Sequence, residues 1–279
     1  MKKNALVLAL SVLVIAAGSY LAINRFNSSA EGTDKELLGS NSKGSAIVSG
    51  ENENDGIRPV GSAVVISADD LRNNFDRLSA DAKKQPALAY SLAKLLFECR
   101  TLSRSLDSAE ELISSNKVPA KSKEKLLGDV EKKAGRCKGL SEKQIESYLE
   151  LMDFAARSGV VEAQLSYSDY AADSMVSPES IANPQRIVDY KRKSLEYYNL
   201  ALGAGEVKAL GLLSSAYENG ILAEKDAYKA YVYAYAYALS KNGSSGANQW
   251  LAQMESALTV SQLQSARSEA QQIYMRCCR

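Results

Sequence analysis

Histidine is missing from all 279 residues. That removes the side chain that most often serves as general base, as metal ligand and as partner of a serine or cysteine nucleophile. Cysteine is scarce, four in all, and no two are spaced as CxxC, so a thiolate metal site has no support. Neither charge dominates: 34 Lys and Arg stand against 33 Asp and Glu, a net of +1. No stretch clusters Lys and Arg, which argues against a nucleic-acid partner. A glycine-rich phosphate loop and a serine-nucleophile elbow are also missing. Carboxylate pairs such as Asp69-Asp70 and Glu110-Glu111 fall at helix starts or on helix surfaces rather than in apolar surroundings. These absences predict a protein that is not an enzyme and carries no cofactor and no metal.

Proline is sparse too, five residues. Pro86, Pro119, Pro178 and Pro184 sit where helical patterns break, and no stretch alternates convincingly with period two. From residue 68 onward strong helix formers dominate, and apolar residues recur at three and four. "SADD" (67–70) and "SEKQ" (141–144) each place a serine at a helix N-cap, and Gln144 completes a capping box in the second. The body is expected to be all-α.

Before it stand two different segments. Lys2 and Lys3 precede an uncharged apolar run over residues 5–23, a charge order that leaves the N-terminus in the cytoplasm and exports the rest of the chain. Residues 1–25 are therefore a signal anchor or a signal peptide. About 19 residues rising 1.5 Å each reach roughly 28 Å, enough to cross a bilayer core. Ala17-Gly18-Ser19 is equally an acceptable cleavage site. No cysteine lies near the end of the run to carry a lipid. Residues 26–67 are rich in Ser, Gly and Asn, as in "GSNSKGSAIVSGENENDG", and lack the apolar residues needed to offset ordering entropy. A disordered linker with a reach of about 35 Å is expected. Such a spacer serves a tethered domain better than a cleaved one, and this favours the inner membrane, with the domain in the periplasm. The alternative is a soluble periplasmic or secreted protein.

Within the body, small residues recur. Gly159 follows Ala155-Ala156 and has Ala163 at +4; Gly205 follows Ala201 and has Ala209 at +4; Gly243 has Ala247 at +4. The glycines stand about 46 and about 38 residues apart, a spacing that suggests a recurring helix–turn–helix unit. Glycine ends one helix in the left-handed conformation, and the alanine beyond it lets the next helix pack closely. Five tyrosines, Tyr228, Tyr231, Tyr233, Tyr235 and Tyr237, fall in one predicted helix, where rings more often fill gaps between alanine-lined helices, with an aromatic binding face as the alternative.

"KSLEYYNLALGAGEVKALGLLSSAYENG" (193–220), followed by "DAYKAYVYAYAYAL", resembles the Sel1-like repeat, a relative of the tetratricopeptide repeat. Lys193, Leu195, Glu196, Tyr198, Ala201, Gly205, Ala209, Leu213, Tyr217, Gly220, Asp226, Lys229 and Ala230 fall on the family pattern. Tyr197 and Tyr233 stand where tryptophan is usual, and Ser214 replaces a glycine. "FAARSGVVEAQLSYSDYA" matches half a repeat, and "DAKKQPALAYSLAKLLFEC" matches less well, with Gln85 in the glycine slot and Ala89 at +4. The resemblance is clear over 145–250 and degenerate over 68–140, within a helical repeat domain at 68–279. It implies an α-solenoid of antiparallel helix pairs whose concave surface binds a protein or peptide in the cell envelope. It places Glu162, Asp169, Lys208, Ser215 and Glu218 toward that groove. Other roles implied by exported relatives are self-association and, less supported by the residues, β-lactam binding or hydrolysis.

The cysteines fit an exported domain. Cys99 and Cys137 each close a predicted helix, and related proteins staple helix pairs, so a disulfide between them is expected, with two buried free thiols as the alternative. Cys277 and Cys278 are left free, joined to each other, or paired between chains.

Overall fold

The computed structural model describes residues 64–102, 119–175, 180, 182–241 and 245–278. The apolar run, the linker up to residue 63, Glu110-Glu111, Pro178 and Gly243 lie outside them. The described residues fall within one unit, Val60–Arg279. They form helices and no strand, and none of those helices is long and apolar enough to cross a membrane.

Twelve helices can be followed. They are α1 (Ala68–Asn73), α2 (Phe75–Ala82), α3 (Pro86–Arg100), α4 (Ala120–Cys137), α5 (Glu142–Glu146) and α6 (Tyr148–Arg157). Next come α7 (Val161–Met175), α8 (Pro184–Gly203), α9 (Lys208–Asn219), α10 (Ala227–Ser240), α11 (Ser245–Glu255) and α12 (Val260–Cys277). Local chemistry sets their ends. Pro86 and Pro184 open α3 and α8, where the missing N–H costs nothing. Ser141 and Gln144 form a reciprocal capping box at α5, and Thr259 with Gln262 forms another at α12. Asp226 caps α10 by accepting from the Lys229 amide at 3.0 Å.

The recurring glycines have a physical counterpart. Gly159 and Gly205 take φ of +88° and +89°, and each ends its helix with the same pair of hydrogen bonds. The Gly159 amide donates to Ala156 and the Val160 amide to Ala155; the Gly205 amide donates to Leu202 and the Glu206 amide to Ala201. This is the Schellman closure, which satisfies the carbonyls left over at a helix end. Ala155, Ala163, Ala201 and Ala209, flanking the two closures, are all fully buried. Gly205 has a second reason to be small, because a Cβ there would meet the Cys277 carbonyl oxygen at 3.1 Å. Gln85, in the corresponding slot earlier, is extended at φ −124° and stands at the N-terminal boundary of α3 with no capping hydrogen bond from its side chain. The Gln85 slot therefore lacks this turn.

Two apolar clusters hold the helices. The first gathers Leu71, Phe75, Leu92, Leu96, Tyr148, Met152 and Tyr167, with Tyr197 from α8. Phe97 extends it, with ring centroids 5.3 Å from Tyr148 and 4.4 Å from Tyr170. The second gathers Leu210, Tyr231, Val232, Leu251, Met254 and the alanines of α10 and α12, with Leu202 of α8 packed on it. Each fully buried leucine contributes about 1.5 to 3 kcal/mol. Tyr231 is wholly buried, and Tyr228, Tyr233, Tyr235 and Tyr237 pack on the same cluster. These rings fill space between helices. The Tyr231 hydroxyl still finds Glu255 at 2.7 Å, and Arg267 donates to it at 3.0 Å, so α10, α11 and α12 are tied at one point.

Candidate interaction surface

The five residues that the resemblance directs toward a groove lie on two helices. Glu162 and Asp169 belong to α7; Lys208, Ser215 and Glu218 belong to α9. Seven residues make nearly two helical turns, so Glu162 and Asp169 share a face, as do Lys208 and Ser215. α7 and α9 touch each other. Ser215 is partly buried and the other four are exposed. The Ser215 hydroxyl accepts from the Asn219 side chain at 2.9 Å, and the Lys208 amide donates to Glu206 at 3.1 Å. No hydrogen bond or ion pair joins any of the five to another.

Asp169 stands apart from the carboxylates around it. Asp153, on α6, accepts from Lys193 at 2.9 Å, from the Tyr197 hydroxyl at 2.7 Å and from Arg157 at 3.1 Å. Asp173, one turn beyond Asp169, pairs with Arg100 at 2.5 Å. Asp169 has no such cation among the described residues. Its neighbours are the tyrosines Tyr170, Tyr190 and Tyr198, whose hydroxyls its charge and, more strongly, their own burial hold protonated. Crowding of the carboxyl by surrounding protein pushes it up to about 6. Water still reaches the exposed side chain and moderates that rise.

A carboxyl raised in the fold binds its proton more tightly there than in the unfolded chain, so stability falls as pH climbs through the window between about 4 and about 6. Above it the ionised Asp169 is a standing penalty. Asp169→Asn is therefore expected to raise the melting temperature at pH 8 and leave it unchanged at pH 4. A fall at pH 8 would mean that the carboxylate has a stabilising partner in the fold.

Tyr198, beneath this surface, is buried and its hydroxyl bonds the Ser168 hydroxyl, linking α8 to α7. Beside α7 lies an open cleft of about 450 Å³ lined by Cys99, Arg100, Glu142, Ile145, Glu146 and Asp173. The Arg100 guanidinium bonds both Glu146 and Asp173 and sits 5.6 Å above the Tyr148 ring. The cleft is therefore cross-braced by its own arginine. Among the described residues no group of three or more Cys, Asp or Glu is placed to hold a metal ion.

The four cysteines are joined in two pairs. Cys99 and Cys137 form a disulfide with Cα atoms 5.4 Å apart, tying the end of α3 to the end of α4. Cys277 and Cys278 are bonded to each other, both partly buried against the second cluster. No signal in the sequence selected that pairing over the alternatives. The Asp153 hub was equally hidden, because two of its three partners are 40 and 44 residues away. A scan against protein-family models gives no match, and no curated protein matches the chain.

Proposed function

We propose that this chain is an exported, membrane-tethered adaptor whose helical repeats form a solenoid of antiparallel pairs and bind a protein or peptide on the envelope side. The observation that carries the proposal is the pair of exposed carboxylates Glu162 and Asp169 on one face of α7, with no ion pair to either among the described residues. Carboxylates left without a counter-charge in their own fold are free to meet cationic groups of a protein or peptide. Three further features support the reading. The Gly159 and Gly205 closures recur with the same hydrogen bonds and the same buried alanines, which fits stacked units of one kind. Helix contacts run mainly between near neighbours in the chain. The resemblance of residues 145–250 to Sel1-like repeats points the same way.

The test is affinity capture from envelope extracts with the full-length protein in mild detergent. A variant carrying Glu162→Gln, Asp169→Asn, Lys208→Gln and Glu218→Gln serves as the comparison. All four side chains are exposed, so the variant is expected to keep its helical circular dichroism and lose the captured partner. Identical captured proteins with both chains would place the binding surface elsewhere, and no captured protein with either would overturn the adaptor reading.

A further inference from the structure

The helix α4 is held differently from the others. Of its described side chains only Val130 is buried, while Leu127 is 46% exposed. Gly128 and Gly135 lie in its interior with open space around them, and each weakens a helix relative to alanine. Its main neighbours are α1 and α3. Arg136 pairs with Glu98 of α3 at 3.0 Å, but both side chains are partly exposed, and such pairs contribute little. By contrast α3 buries Leu88, Ala89, Leu92, Ala93 and Leu96. The one strong link between them is covalent.

We propose that Cys99–Cys137 is a redox latch: its reduction lets α4 leave α1 and α3, while the helices from α6 to α12 keep their packing. The reductant is a dithiol. One of its thiolates attacks the Cys137 sulfur, which is partly exposed, whereas Cys99 is only 8% exposed. The Cys99–Cys137 bond breaks, a mixed disulfide forms at Cys137, and Cys99 leaves as a thiolate that takes up a proton. The second thiolate of the reductant then attacks its own mixed disulfide, expelling Cys137, which is protonated in turn. Two electrons pass to the protein, and the dithiol becomes a disulfide. The cleft at Cys99 is lined by Glu142, Glu146 and Asp173 against the single cation Arg100. That excess of negative charge repels an anionic monothiol such as glutathione, and in any adduct at Cys137 the neighbouring Cys99 attacks back, so a monothiol adduct reverts, whereas a dithiol resolves its own adduct and drives the opening. This holds whether or not the surface on α7 and α9 binds a peptide.

Hydrogen exchange of the full-length protein, read by mass spectrometry, tests the latch. With dithiothreitol, amides of α4 are expected to exchange at least about 100-fold faster, and the acceleration in α6, α7, α9 and α10 to be at least about tenfold smaller. Dithiothreitol also opens Cys277–Cys278, so Cys137→Ser without reductant must reproduce the same local change. Glutathione at equal thiol concentration is expected to leave α4 protected. Unchanged protection of α4 in both tests would overturn the proposal. So would a loss spread evenly over α6 and α7, or release by glutathione equal to that by dithiothreitol.

Discussion

Cys99→Ser is expected to lower the melting temperature by about 5 to 10 °C under oxidising conditions and to change it little in reductant. The bond closes a loop of 38 residues, which in the chain-entropy model stabilises the fold by up to about 3 to 4 kcal/mol. That figure is a ceiling here, because a helix burying little more than Val130 is released before the clusters unfold and returns part of the entropy. Thermal denaturation followed by circular dichroism, with and without dithiothreitol, checks the expectation. A variant as stable as the parent in oxidising buffer would show that the bond carries no load. Peptide mapping that joined Cys99 to Cys277 or Cys278 would remove its basis altogether.

The second large effect is expected at Asp153. Its side chain is 14% exposed, and it gathers Lys193, Tyr197 and Arg157 from two helices. Asp153→Ala leaves the Lys193 ammonium, itself 31% exposed, without its counter-charge, and leaves a tyrosine hydroxyl at the edge of the first cluster without an acceptor. Removing one member of a mostly buried pair costs about 3 to 5 kcal/mol, and the partial exposure of Lys193 reduces this to roughly 2 to 3 kcal/mol. Lys193→Met in the same chain is expected to recover part of the loss, because the stranded charge goes with it. A double-mutant cycle in urea measures the coupling. Additive losses would mean that the two side chains do not act together.

These two sites differ in how far the sequence could reveal them. Gly159 and Gly205, with alanines four residues on, were legible because a left-handed cap and a close helix approach are requirements that local sequence states directly. The Ser141 capping box was legible for the same reason, since its two hydrogen bonds lie within four residues. All-α architecture followed from the helical period and from the absence of any alternating stretch. Asp153 was not legible. An aspartate inside "LMDFAARSG" looks like any solvated helix residue until a lysine some 40 positions away is folded against it. Asp169 was named as facing a groove by resemblance alone. What distinguishes it physically, the lack of a paired cation among the described residues, is a property of the surroundings and not of the residue. The poverty of α4 was half-visible, since "AKSKEKLLGDVEKKAGRC" carries few apolar residues, but its dependence on a single sulfur bond needed the packing of α3 beside it.

The helix α8 gives Tyr197 to the first cluster and Leu202 to the second. Five residues separate them, which on a helix is about 7.5 Å along the axis and roughly 140° around it. The two side chains thus point to nearly opposite sides of one rod. α8 behaves as a rod keyed on two sides near its C-terminal end: turning it to relieve crowding in one cluster drags a packed side chain out of place in the other. A volume change near Tyr197 that turns the helix is therefore felt at Leu202 as well.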